Sequence, residues 1–273
     1  MSYPAPTDFY SSRLPQIRTQ NPLIHNITNI VSAHFSANGL LALGASPIMS
    51  GVYDEMRQLA GITHALTLNL GAPSREQVRA MIEAGQAMNE LGKPVVLDPV
   101  GVGASSYRQD VTHEILANVK VALIRGNAGE MAQLAGVEWS SRGVDAGHGD
   151  GSQLAHIAKT CAQKYQTTVA LSGATDYISD GDKLIAVHNG TPLFPKITAS
   201  GCLLGVVCGA FLAVHDDTLL GVLDAVLTYT IAGELASDGL GESQSGTFYT
   251  KLIDKLGEIS EQDVQKHARF DVV

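Results

Sequence analysis

Along most of the chain, short unbroken apolar runs alternate with longer stretches whose apolar positions recur at helical spacing. Leu23–Ile27, Ser46–Ser50, His64–Leu70, Pro94–Leu97, Val121–Ile124 and Thr168–Leu171 predict strands, the middle ones as solid apolar runs. The stretch up to Thr19 predicts a short helix, weakened by Pro15. Further helices are predicted over Val31–Leu43, Ser74–Leu91, Ser105–Asn118, Asn127–Leu134 and Ser152–Tyr165. Gly44 and Gly92 follow two of these as stop signals. Ser74 with Gln77, and Asn127 with Glu130, stand at capping-box spacing. Tyr177–Asn189 predicts a hairpin turning at Asp180-Gly181. Three helices, Ser200–Val214, Asp217–Ala236 and Thr247–Leu256, then precede a last strand, Arg269–Val272.

Strands that are apolar throughout are covered on both faces, which predicts a mostly parallel sheet between two helical layers. No linker or repeat divides the chain, and the rhythm resumes after the Gly-rich Gly136–Gly151 loop. Residues 1–273 therefore read as one α/β domain. Ligands of such sheets bind at the carboxyl ends of the strands, which directs attention to Asp98, Arg125 and Ser172.

Composition narrows the function. Charged residues are 16% of the chain and apolar residues 45%, against about 25% charged in an average domain, so a large core is expected and disorder is excluded. A net charge of −9 without a basic run argues against nucleic-acid binding. The uncharged run Ile197–Val214, with Gly201, Gly205 and Gly209 at four-residue spacing, approaches the length of a membrane span. A buried helix is the preferred reading, because no other segment is a plausible span. The start Met1-Ser-Tyr-Pro-Ala-Pro lacks the features of a signal peptide. The three cysteines, Cys161, Cys202 and Cys208, form no Cys-x-x-Cys pair. Both features predict a reducing cytoplasm, with neither disulfides nor zinc.

P-loop, GxGxxG, HExxH, GxSxG and EF-hand signatures are absent. Three segments carry candidate chemistry. In Asp98-Pro-Val-Gly-Val-Gly-Ala104 a carboxylate precedes a flexible loop, suited to Mg²⁺ through water or to an ordinary helix entry. In Arg125-Gly-Asn-Ala-Gly-Glu130 a guanidinium suited to phosphate precedes an acid that either caps its helix or faces a metal. In Thr198-Ala-Ser-Gly-Cys-Leu-Leu204 small residues open an apolar helix whose free N–H groups suit an anion. Cys202 falls in its first turn, where thiol pKa values drop. His25-Asn-Ile-Thr-Asn29 and Met49 end two further strands and either line a small-molecule pocket or belong to turns and core.

Together these segments resemble the hydroxyethylthiazole kinase family of the ribokinase-like superfamily. The resemblance rests on Asn21-Pro-Leu-Ile-His-Asn-Ile-Thr-Asn29, Ala45-Ser-Pro-Ile-Met-Ser50, Leu68-Asn-Leu-Gly71, Leu97-Asp-Pro-Val-Gly-Val-Gly-Ala104, Ile124-Arg-Gly-Asn-Ala-Gly-Glu130, Gly143-Val-Asp145 and Ile197-Thr-Ala-Ser-Gly-Cys202, in order over nearly the whole chain. It implies a three-layer αβα sandwich and ATP-dependent phosphorylation of 4-methyl-5-(2-hydroxyethyl)thiazole in thiamine salvage. It also implies that Asp98 and Glu130 manage Mg²⁺, that Arg125 and Ser172 bind ATP, and that Asn26, Met49, Gly71 and Ala199 bind the thiazole. Ala199, Ser200, Gly201 and Cys202 would form the anion hole, with Cys202 assisting deprotonation. Ala199 stands where the family usually has Gly. A homotrimer with active sites between subunits is implied too, which would hide further surface of a charge-poor chain. The alternatives are a pyridoxal or hydroxymethylpyrimidine kinase, a nucleotide-dependent dehydratase of the same fold, and a non-catalytic thiazole- or nucleotide-binding protein.

Overall fold

The computed structural model describes residues 12–139 and 151–273. The Met1–Pro6 start, the Gly143-Val-Asp145 segment and most of the Gly136–Gly151 loop lie outside the described residues.

The strands are β1 (Leu23–Ile27), β2 (Ser46–Ile48), β3 (Ala65–Asn69), β4 (Val95–Asp98), β5 (Leu123–Asn127), β6 (Thr168–Ser172), β7 (Asp176–Ser179), β8 (Leu184–Val187) and β9 (Phe270–Val272). They form one nine-stranded sheet in the order β2-β1-β3-β4-β5-β6-β7-β8-β9. Pairing is parallel from β2 to β6 and antiparallel from β6 to β9.

Among the described residues, six helices, α1 (Leu14–Gln20), α2 (Ala33–Leu43), α8 (Ser200–Leu212), α9 (Thr218–Ser237), α10 (Ser245–Glu258) and α11 (Glu261–His267), cover one face. Five, α3 (Met56–Ile62), α4 (Arg75–Glu90), α5 (Ser106–Asn118), α6 (Ala128–Ala135) and α7 (Gly151–Tyr165), cover the other. Successive residues of a strand enter opposite cores: Val96 packs into the first, Val95 and Leu97 into the second. That division is why the central strands read as unbroken apolar runs.

Both expected capping boxes are built, at Ser74–Gln77 and Asn127–Glu130. Two short helices were not expected. α3 spans seven residues, too few to show a period. α11 buries only Val264, although Ser260 and Asp263 form its capping box. β5 extends through Arg125-Gly126-Asn127, so Arg125 lies within the strand, as the register partner of Ala170 of β6, instead of after it.

The uncharged run resolves into α8, which is 13 residues long with Leu203 to Leu212 buried. One helix among the described residues, α9, is long and apolar enough to cross a membrane, and 83% of its apolar window is buried inside the protein. The glycine stripe of α8 packs on the sheet, not on another helix of its kind. A Cβ on Gly209 would lie 2.8 Å from Thr67 Cγ2, one on Gly205 3.7 Å from Asp98 Oδ2, and one on Gly201 2.4 Å from Arg125 Nη1. The stripe lets the helix axis come down onto the ends of β3, β4 and β5, where larger side chains would hold it off.

Candidate active site

The carboxyl ends of β3 to β6 meet the start of α8. Asn69 and Asp98 are register partners at the ends of β3 and β4, and Asn127 and Ser172 at the ends of β5 and β6. This alignment brings residues from distant segments into one cluster.

Arg125 is nearly buried, as are Asp98 and Glu130. Its Nη2 donates to Ser172 Oγ at 3.0 Å, its Nη1 stands 3.8 Å from Asp98 Oδ2, and its Nε is buried without a partner. Burial works against the charge, but Asp98 and Glu130 hold the guanidinium ionised. A desolvated cation with unused donors attracts an anion strongly.

Directly against it lies the first turn of α8. No side chain caps this helix, and the Ser200 hydroxyl donates backwards to the Phe194 carbonyl at 2.9 Å. Its first N–H groups therefore have no intrahelical acceptor, and the positive dipole end faces the cluster. The small size of Gly201, read from sequence as room for a phosphate, makes room for the Arg125 guanidinium. Ala199 is held at φ +64°, ψ +9°, a left-handed conformation that costs an L-residue about 1–2 kcal/mol. The usual Gly would adopt it freely. Ala199→Gly should therefore raise stability by about 0.5–1 kcal/mol, read as a higher urea midpoint; a fall would show that the methyl contributes packing.

Asp98 is linked through Asn69, a residue that sequence reasoning missed although it lies inside a quoted segment. Asn69 Nδ2 donates to Asp98 Oδ2 at 2.9 Å and to Cys202 Sγ at 3.2 Å. Its Oδ1 accepts from Gly71 N–H at 3.1 Å and from Asn29 Nδ2 at 2.8 Å. Burial first, and the Glu130 charge after it, push the Asp98 carboxyl up to about 7 against the pull of Arg125. The thiol of Cys202 departs from the lowering expected at a helix start. Burial and then Asp98 push it up to about 11, outweighing Arg125 and the Asn69 bond. Desolvation of the thiolate exceeds the help of the dipole.

Glu130 uses both carboxylate oxygens on backbone: Oε2 accepts from Asn127 N–H and Oε1 from Gly101 N–H, each at 2.8 Å. Asp98 Oδ1 by contrast is buried and unpartnered. Among the described residues no three His, Cys, Asp or Glu cluster as a complete metal cage. Mg²⁺ is ordinarily held by one or two carboxylates together with substrate phosphates and water. The free oxygen of Asp98 beside Glu130 fits an ion arriving with a nucleotide.

Asn26 lies on β1, its Oδ1 accepting from Thr67 Oγ1 at 2.7 Å and its Nδ2 buried without a partner. Met49 follows the edge strand β2, separated from β4 by β1 and β3. Arg125 lies one strand further on, in β5, so four strand spacings, roughly 19 Å, keep Met49 away from it within one chain.

A third acid, beside Asp98 and Glu130, acts on Arg125. Asp176 is buried at the start of β7, and its Oδ1 accepts from Gly173 N–H at 2.8 Å. Burial pushes it up to about 7, against the Gly173 bond and Arg125. Its folded pKa exceeds the ordinary carboxylate value of about 3.9, so the folded state binds the proton more tightly than the unfolded one. Stability from this group is therefore complete below about pH 4 and is lost as pH rises through 7. Asp176→Asn should flatten the decline in melting temperature between pH 5 and 8; an unchanged slope would show that Asp176 ionises normally.

A mixed α/β sheet between two helical layers, with an arginine set against an uncapped helix start at the ends of its parallel strands, has the architecture of the ribokinase-like kinases. A solved pyridoxal kinase from Staphylococcus aureus in complex with ADP shares the fold, with a TM-score of 0.59 at 12% identity, covering 78% of this chain and 87% of that one. The hydroxyethylthiazole kinase family model matches residues 14–262. The chain is 54% identical to a hydroxyethylthiazole kinase of Pasteurella multocida over 94% of its length and 97% of that protein's. The solved hydroxyethylthiazole kinase of Pyrococcus horikoshii superposes with a TM-score of 0.87 at 37% identity, covering 95% of this chain and 97% of that one. The chain belongs to the hydroxyethylthiazole kinase family.

Proposed function

We propose that this protein transfers the γ-phosphoryl group of ATP to the primary alcohol of 4-methyl-5-(2-hydroxyethyl)thiazole, as a cytoplasmic step of thiamine salvage. The observation that carries the chemistry is the buried Arg125, with Nε unpartnered, packed against Gly201 at the uncapped start of α8. Phosphoryl transfer has a loose transition state with charge on the equatorial oxygens, so positioning and neutralisation dominate. Arg125 and Ser172 hold the ATP phosphates. The N–H groups of Ser200, Gly201 and Cys202, with Ala199 turning the chain into the helix, receive the transferring group. Asp98, supported by Glu130, would hold Mg²⁺, which would supply charge neutralisation of the phosphates. Cys202 stays protonated at neutral pH, so it assists departure of the alcohol proton only modestly and the anion hole supplies more of the acceleration.

Asn26, Gly71, Ala199 and Met49 bind the thiazole, with Met49 on the outer edge of the sheet. The exposed Ile30, Val31, Val52 and Tyr53 lie in the loops after β1 and β2, a patch suited to a second copy of the chain. A homotrimer with active sites between subunits would bury this patch and close the site around Met49. ADP release is to be measured with Mg-ATP and, in parallel, the thiazole alcohol, pyridoxal and hydroxymethylpyrimidine. Preference for the thiazole alcohol is expected; preference for either other alcohol overturns the substrate. Light scattering that finds a monomer overturns the trimer.

A further inference from the structure

Arg108 shows no ion pair with any acid among the described residues, yet three of its five N–H donors are engaged by backbone carbonyls. Nη1 donates to the Leu70 carbonyl at 2.6 Å and to the Val100 carbonyl at 2.7 Å, and Nη2 to the Gly71 carbonyl at 2.5 Å. These carbonyls lie just beyond the ends of β3 and β4, where the sheet ladder no longer supplies donors. A cation in the first turn of α5 opposes the helix dipole, so its placement there is not explained by the helix. The preceding residue acts in the same direction, since Tyr107 Oη donates to the Pro73 carbonyl at 3.0 Å.

The two loops joined by this guanidinium carry the candidate chemistry. Gly71 is held at both ends, its N–H by Asn69 Oδ1 at 3.1 Å and its carbonyl by Arg108. The Asp98–Gly101 loop is held at Gly101 by Glu130 and at Val100 by Arg108. We propose that Arg108 is a positioning residue that locks the Gly71 loop to the Asp98 loop and so fixes the distance between bound alcohol and phosphate. The inference rests on the placement of the site given above. Only a planar fork with several fixed donors spans three carbonyls in this way; a lysine ammonium presents a compact charge on a flexible stem.

The test compares Arg108→Ala and Arg108→Lys in the full-length enzyme, with Asp98→Asn alongside. For Arg108→Ala, kcat/KM for the thiazole alcohol should fall roughly 100-fold, the effect of about 1 Å of misplacement. KM for ATP should change much less, because Arg125 and Ser172 are untouched. Millimolar guanidinium should restore part of the Arg108→Ala activity, and Arg108→Lys should not recover it. A residue of purely structural importance would lower the melting temperature while the folded fraction kept normal KM values and ignored guanidinium. That outcome, or wild-type kinetics in both Arg108 variants while Asp98→Asn is inactive, overturns the positioning role alone. Wild-type kinetics in Asp98→Asn as well overturns the site itself.

Discussion

Arg125→Met is expected to lower kcat roughly 1,000-fold, the scale of a lost arginine or anion-hole contact in phosphoryl and acyl transfer. The methionine keeps the volume and removes the charge. Ser172 loses its 3.0 Å donor, and the developing charge on the phosphoryl oxygens loses the guanidinium that packs against the helix start. KM for ATP should rise, while KM for the thiazole alcohol should stay near its original value, because Asn26 lies on β1 and Gly71 and Met49 just past β3 and β2. Asp98 and Asp176 are both raised in spite of Arg125, so its removal should push them higher and make the variant least stable at alkaline pH. Steady-state kinetics and a melting series from pH 5 to 8 check both statements. Unchanged kcat and unchanged KM for ATP would remove Arg125 from the site.

Gly201→Ala should cost roughly 100-fold in kcat/KM for ATP through displacement of the same guanidinium. The new methyl would stand 2.4 Å from Nη1 and 2.8 Å from Nη2, closer than any stable contact. What yields is the end of a long side chain, so the protein should fold. Alanine also suits a helix better than glycine, by about 1 kcal/mol, so the melting temperature should hold or rise as activity falls. Combined with Arg125→Met, the second substitution should add little, since both remove one interaction. Additive losses would mean that Gly201 acts on the phosphate directly and not through Arg125.

Much of this arrangement is legible along the chain. The strand–helix rhythm, the two capping boxes and the polar residues at the strand ends are local signals, realised except that β5 runs on past Arg125 to Asn127. Asn127 and Glu130 illustrate the limit of such signals. Their spacing announces a capping box, and the box occupies one oxygen of Glu130; that the other reaches Gly101 follows from the neighbouring loop. α3 went unread because seven residues cannot display a period.

What the amino-acid order determined by itself is the α/β class, the order of the longer elements and the identity of the strand-end residues, because propensity, periodicity and capping act within a few positions; the family is legible only through the resemblance of its motifs. What only the tertiary structure decided is which of those residues meet. Asn69 becomes a hub because β3 and β4 pair with Asn69 opposite Asp98. Arg108 joins two loops from a helix that follows both in sequence. The Cys202 thiol is pushed up to about 11 where its helical position alone suggested the opposite. Register and desolvation cause all three, and both are properties of chain segments brought together from far apart.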